Sequence, residues 1–373
     1  MKLSFQKMFF ALGALFLIFA TMILAKSVLM PLSFALLLSF ILFPVTQRLE
    51  SWGFSKILAA FSAILLMFLL IFGGISLFST QIMGLMEESE AFQEKLLGVF
   101  TDVTLYVNNN INFIDNLEKD DLYDQLKGWL TDSAGSVAAN TFSGTTAFFS
   151  GLVITVIFTF LILIYREGLT RAFAHFYPQQ DRGRAVGMFR RIQQVGKQYL
   201  SGMVLIVLIL GVVNSIGLMI IGISNPFLFG FLAATLAIVP YVGTTTGAAI
   251  PVLYAFMAYD SLWMPAAIAI MFWGVQLVES NFLSPKIVGG SLSINALAAL
   301  LSIIIGASVW GVAGMILFLP FAAILKVVCQ EYEALKPVAL LIGERNYEEK
   351  EDKGPSIWAR GWEKIKGWTA KRD

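Results

Sequence analysis

One histidine and one cysteine in 373 residues leave little material for catalysis. Metal sites need several converging His, Cys or carboxylate ligands, a nucleophilic thiol needs a base, and an internal disulfide needs a second cysteine. A zinc-protease HExxH pair is impossible with a single histidine. No GxxxxGK[ST] phosphate loop occurs, because Gly196-Lys197 is followed by Gln198 and Lys353-Gly354 runs in the wrong order. ATP-driven pumping by this chain alone is thus not expected, nor are enzymatic activity, a bound metal, a cofactor or a nucleic-acid partner. Charge is scarce too: 14% of residues are Asp, Glu, Lys or Arg, against about 25% in soluble domains. What fills the chain is apolar, with 57% hydrophobic residues, 32 of them Phe and 14 Met. The expected solvent is the lipid bilayer.

An uncharged run of about 18 residues crosses a hydrocarbon core of roughly 30 Å as a helix. Such runs lie at 8–25, 28–45, 57–82, 147–165, 200–223, 226–258, 262–278 and 296–325, eight segments of which two look compound. The first lacks a signal-peptidase site and is followed at once by the second, so a retained helical hairpin is expected. Loop charge sets the orientation. Lys2 and Lys7, then Arg48 and Lys56 against Glu50, and above all Arg166, Arg171, Arg182, Arg184, Arg190, Arg191 and Lys197 in 165–197 belong on the cytoplasmic side. Both termini follow them there. The chain then divides into membrane segments in 1–82, an acidic extracytoplasmic insertion at 83–146, further membrane segments in 147–330 and a cytoplasmic tail at 331–373.

The insertion carries apolar residues at helical spacing (Phe92, Leu96, Val99, Tyr106, then Leu122, Leu126, Trp129, Leu130), which suggests a small helical cap serving as a spacer, a lid or a subunit contact. In the tail, Trp358, Trp362, Ile365 and Trp368 form one stripe beside Arg360, Lys364 and Lys366, a pattern that suits an interfacial helix.

Chemistry is sought where the membrane pattern is interrupted. In 226–258, Pro240, Gly243, Gly247 and Pro251 lie in apolar surroundings beside Thr244, Thr245 and Thr246. Proline removes a backbone donor and glycine weakens the helix, so 240–247 is expected to break or turn within membrane depth and offer polar groups to a solute. A plain proline kink with a GxxxG packing face is the competing reading. The second interruption holds Gln276, Glu279, Ser280 and Asn281, with Ser284 and Pro285 expected to stop the helix and Gly289 and Gly290 to turn it. An ionisable residue at membrane depth marks a pathway or coupling site, unless Lys286 pairs with Glu279 as a structural salt bridge. Gly306, Gly311 and Gly314 punctuate the next run, so the C-terminal half is expected to contain broken or re-entrant helices meeting near the midplane. Asp260 reads as a cap for the helix that follows it, Cys329 as a small hydrophobe and His175 as a solvated or packed residue.

These features resemble the autoinducer-2 exporter (AI-2E) family of bacterial permeases over roughly residues 5–345. The resemblance rests on Tyr165-Arg166-Glu167-Gly168, on Val239-Pro240-Tyr241-Val242-Gly243 followed by Gly247 and Pro251, on Glu279-Ser280-Asn281 with Pro285 and Gly289, and on the glycine series ending at Pro320. Thr244 stands where family members often have proline, and Asn295-Ala296 where they have a His-Pro pair. The resemblance implies an all-α polytopic inner-membrane secondary transporter, homo-oligomeric, with a pentamer as the suggested form. It also implies signal-molecule export, or sodium or lithium extrusion against protons. The leading expectation is export of a small polar solute through a site formed by 240–247 and 276–285. A cation/proton antiporter using Glu279 is the second, and a non-transporting scaffold the alternative of another class.

Overall fold

Leu-, Ile- and Phe-rich runs become helices throughout the computed structural model, which describes residues 5–87 and 148–344. The Trp-rich stripe and all but the first few residues of the acidic insertion lie outside the described residues. The helices are α1 (Phe5–Leu24), α2 (Lys26–Ser51), α3 (Lys56–Glu87) and α4 (Phe148–His175), followed by α5 (Arg182–Ile221), α6 (Pro226–Leu236) and α7 (Val242–Ala258). Then come α8 (Trp263–Val278), continued by π-helical turns to Gly289, α9 (Ala296–Trp310), α10 (Val312–Glu331) and α11 (Lys336–Ile342). Among the described residues there is no β-strand, only a single bridge between Ile294 and Gly343.

Six of these helices are long and apolar enough to cross a membrane, while α6, α7, α9 and the 12–24 part of α1 are shorter apolar helices. Both compound runs are divided. The 226–258 run breaks between α6 and α7, and the 296–325 run breaks at Gly311, whose φ of 63° and ψ of −138° suit glycine alone.

Polarity is arranged for an apolar solvent. Leu69, Leu70, Phe72, Leu77 and Ile220 are exposed, while Ser39, Thr46, Thr159, Ser215 and Ser302 are buried. Their hydroxyls donate back to carbonyls three or four residues earlier, as Ser302 does to Ala298 at 2.6 Å and Thr159 to Thr155 at 2.8 Å, so these hydroxyls need no water. Close packing relies on small residues, as expected where lipid and side chains are equally apolar. A Cβ on Gly306 or Gly314 would overlap the backbone of the other, which locks α9 against α10.

One end of the bundle gathers the arginines. Arg166 is ion-paired with Glu50, Lys56 with Glu167 at 2.6 Å, and Glu331 at the end of α10 with Arg191 and, at 3.7 Å, with Arg184. These contacts place the α2–α3 turn, the α4–α5 connection and the end of α10 at the same end. Beside them the Tyr177 hydroxyl meets that of Tyr332 at 2.5 Å. Burial, then the bond to Tyr332, pushes the Tyr177 phenol from 10.0 up to about 12. Any stability it adds is therefore complete below pH 10 and fades only as pH rises through 12.

The Arg166–Glu50 pair is the least exposed of these, at 14% and 21% of the side chains, and Arg166 also lies 5.3 Å from the Phe43 ring centroid. Glu50 Oε1 has no hydrogen-bond partner among the described residues. Arg166→Ala should therefore strand a half-buried carboxylate and cost about 3 kcal/mol, read as a lower thermal midpoint in detergent. The Glu50→Gln, Arg166→Gln double variant should recover part of the loss, and a double variant no better than the single one would argue against this pairing.

A clasp closes the C-terminal half. The Asn295 side chain caps α9 by accepting from the Ala298 amide at 2.8 Å, and donates to Leu341 O at 2.6 Å and Gly343 O at 3.1 Å. Buried Lys326 of α10 donates to Ser293 O at 2.6 Å. The residues after α11 are thereby tied to the start of α9.

Candidate functional site

The break between α6 and α7 is a reversal of direction. Tyr259 Oη accepts from the Ser224 amide at 2.8 Å at the open end of the pair. Farther in, Gly247 abuts Ala233 and, nearest the tip, Gly243 abuts Leu236. That register makes α6 and α7 antiparallel, with residues 237–241 as the tip. Here Pro240 O accepts from Val242 N at 2.7 Å around Tyr241, whose φ of 64° and ψ of −56° describe a strained γ-turn. Proline fixes one arm of that turn, and Gly243 lets the returning strand of chain touch the Leu236 carbonyl. Strain of this kind, costing on the order of 1–3 kcal/mol, collects at functional positions.

The threonines beside the tip do not present free donors. Thr244 and Thr245 donate to Tyr241 O at 3.1 and 3.0 Å, and Thr246 to Val242 O at 2.7 Å. What they offer outward is hydroxyl lone pairs, an accepting surface suited to a cation or to a solute's donors.

The second group sits where α8 runs on into the π-helical turns. Ser284 and Pro285 do not stop this helix. Pro285 cannot supply the amide for the α-helical ladder, and the chain widens to bonds five residues apart, with the Ser284 amide reaching Glu279 O. Gly289 and Gly290 stay helical, and the chain turns instead at Ser293, with φ of 49°. Widening has a chemical consequence. It brings the Ser284 hydroxyl onto Glu279 Oε1, a register that 3.6 residues per turn would rotate away, while Gln276 Nε2 donates to Glu279 Oε2 at 2.6 Å. Both carboxylate oxygens thus hold a neutral donor. No ion pair joins Lys286 to Glu279 among the described residues, so the salt-bridge alternative has no support in this geometry.

Ser280 and Asn281 are both exposed, Asn281 donating to Leu277 O at 2.8 Å. Of the six long apolar helices, the one spanning Trp263–Gly289 is the least buried. Pro240, Gly243, Thr244, Thr245 and Gly247 therefore belong to one unit, and Gln276, Glu279, Ser280, Asn281 and Pro285 to another. The two units share α5 as a support, since α6 packs on it through Phe231 at Gly211 while Ile287 packs on it at Gly202.

Residue spacing alone gives Ser284 no role at the carboxylate. Nor does it single out Asn214, buried in α5 with its Oδ1 lacking a partner among the described residues. A lone amide in an apolar run was the available signal. At the start of α8 the Trp263 amide donates to Ser261 Oγ at 3.3 Å. Cys329 is buried as a small hydrophobe, and the His175 ring nitrogen meets Arg171 O at 2.8 Å.

The AI-2E family transporter model matches residues 11–334. YrrI of Bacillus subtilis, provisionally named a transport protein, is 28% identical over 317 residues, covering 81% of this chain and 86% of its own length. The AI-2 transport protein TqsA of Escherichia coli is 24% identical over 351 residues, covering 92% and 97% respectively.

Proposed function

The chain belongs to the AI-2E transporter family, and from that premise we propose that it is a secondary transporter exporting a small polar solute across the bacterial inner membrane. The observation that carries this reading is Glu279, a carboxylate on the least buried apolar span with a neutral donor on each oxygen. Lipid cannot solvate such a group, so that face meets water or another protein surface. The α6–α7 hairpin, reversing at 237–241 beside the same α5, supports a re-entrant element that reaches toward the path from one side. The exposed polar face also supports a homo-oligomer in which a second copy covers part of α8.

TqsA, by its name, transports AI-2, which makes an autoinducer-2-like signal or a related polar metabolite the first solute to test. Glu279 itself favours a second reading, sodium or lithium exchange for protons, because this half-buried carboxylate has no ion-pair partner among the described residues. Both are decided in proteoliposomes containing the full-length protein under an imposed pH gradient, with polar solutes and alkali cations screened in turn. Solute movement dependent on the protein supports the first reading, and cation-dependent collapse of the gradient supports the second. Vesicles that move neither would return the chain to the scaffold reading.

Orientation follows from the arginines. With Cys329→Ser as background, Gln180→Cys at the arginine-rich end should resist an impermeant thiol reagent applied to intact spheroplasts, whereas Ser261→Cys in the α7–α8 turn should react. The reverse pattern would place the arginine-rich end outside.

A further inference from the structure

Between α2 and α3, near the arginine-rich end, lies a groove of about 560 Å³. Its α2 wall presents Pro44, Arg48 and Trp52 at four-residue intervals, and its α3 wall presents Leu65, Leu66 and Leu69, so each wall is one helix face. From Ser62 to Leu69 the α3 wall runs about 10 Å along the helix, a large part of the roughly 15 Å of one bilayer leaflet. The groove is apolar along its length and cationic only at its rim.

The acids at that rim are already engaged, Glu50 by Arg166 and Glu167 by Lys56. The Arg48 guanidinium has no ion-pair partner among the described residues, and Trp52, 70% exposed, stands one turn further on at the level where indoles anchor to headgroups. Arg48, Lys56, Arg166 and Arg171 outweigh the two glutamates, so the rim is net positive. An elongated apolar trough ending in an unengaged arginine and an indole has the chemistry of one ligand. We propose that this groove is a binding site for an anionic phospholipid, its phosphate on Arg48 and one acyl chain lying between α2 and α3 against Leu65, Leu66 and Leu69.

The test uses the full-length protein, purified in mild detergent, stripped of lipid and titrated with phosphatidylglycerol or phosphatidylcholine, with bound lipid counted by native mass spectrometry. One basic residue near a membrane surface contributes roughly 1 kcal/mol, so the wild type should prefer phosphatidylglycerol about fivefold. Arg48→Gln should remove that preference. Arg171→Gln, which alters the same rim away from the groove, should keep it. Leu66→Trp, which fills the trough, should weaken binding of both lipids. Equal binding of the two headgroups by the wild type would overturn the proposal, as would an Arg171→Gln loss as large as that of Arg48→Gln. So would a Leu66→Trp protein that binds both lipids as the wild type does.

Discussion

Gly243→Ala should abolish most transport, and Gly243→Leu all of it, while Gly247→Ala does less harm. At Gly243 an added methyl would overlap the Leu236 carbonyl, a backbone atom that cannot swing aside without opening the hairpin. At Gly247 the same methyl would stand 2.9 Å from Ala233 O and 3.0 Å from Ala233 Cα, tight enough to push α6 and α7 apart by a few tenths of an ångström. Overpacking typically costs about 1–3 kcal/mol, and at Gly243 the cost falls on the strained turn at Tyr241. The measurement is flux in proteoliposomes, normalised to inserted protein, together with the thermal midpoint. Full flux in Gly243→Leu would mean that the tip is a plain kink with no part in the path, and equal effects of alanine at the two glycines would contradict this packing.

Glu279→Gln should leave assembly intact and lower coupled flux by more than about tenfold, a loss of roughly 1.4 kcal/mol. The substitution is nearly silent structurally. A glutamine at 279 still offers its carbonyl to the Gln276 amide, and the Ser284 hydroxyl, which both donates and accepts, can rotate to take a hydrogen from the new amide. What disappears is the negative charge, so a fall in flux reads that charge directly. Because no ion pair links Glu279 to Lys286, the charge-swapped Glu279→Lys, Lys286→Glu double variant should not restore function. Unchanged flux and pH dependence in a well-assembled Glu279→Gln protein would remove the carboxylate from the mechanism, and rescue by the swapped pair would mean that the two side chains meet during the cycle.

Much of the helical plan is written in hydropathy. The apolar runs, the break around Pro240 and the division at Gly311 follow from local rules, because proline lacks a donor and few residues besides glycine tolerate a positive φ. Direction is not local. The residues of 226–258 leave a kink and a reversal equally open, since that choice depends on which backbone atoms approach across the pair, as Gly243 does to Leu236. The candidate site divides in the same way. Gln276 and Glu279, three apart, are neighbours on any helix, and sequence spacing finds them. Ser284 escapes because it meets Glu279 only where the helix has widened to a five-residue repeat. The charged neighbour Lys286 supplied the alternative partner instead, since opposite charges suggest a pair, and no such pair forms among the described residues.

The Asn295, Lys326 and Gly343 clasp bears on the order in which this protein is made. The start of α9 is held by carbonyls of Leu341 and Gly343 and by a lysine on α10, all of which leave the ribosome after the segment they secure. Synthesis proceeds at roughly 5–20 residues per second, with earlier parts folding first. The joint just after the Glu279 segment is therefore among the last to be fixed, seconds after that segment has emerged. A nascent chain halted before Lys326 lacks all three of these tethers.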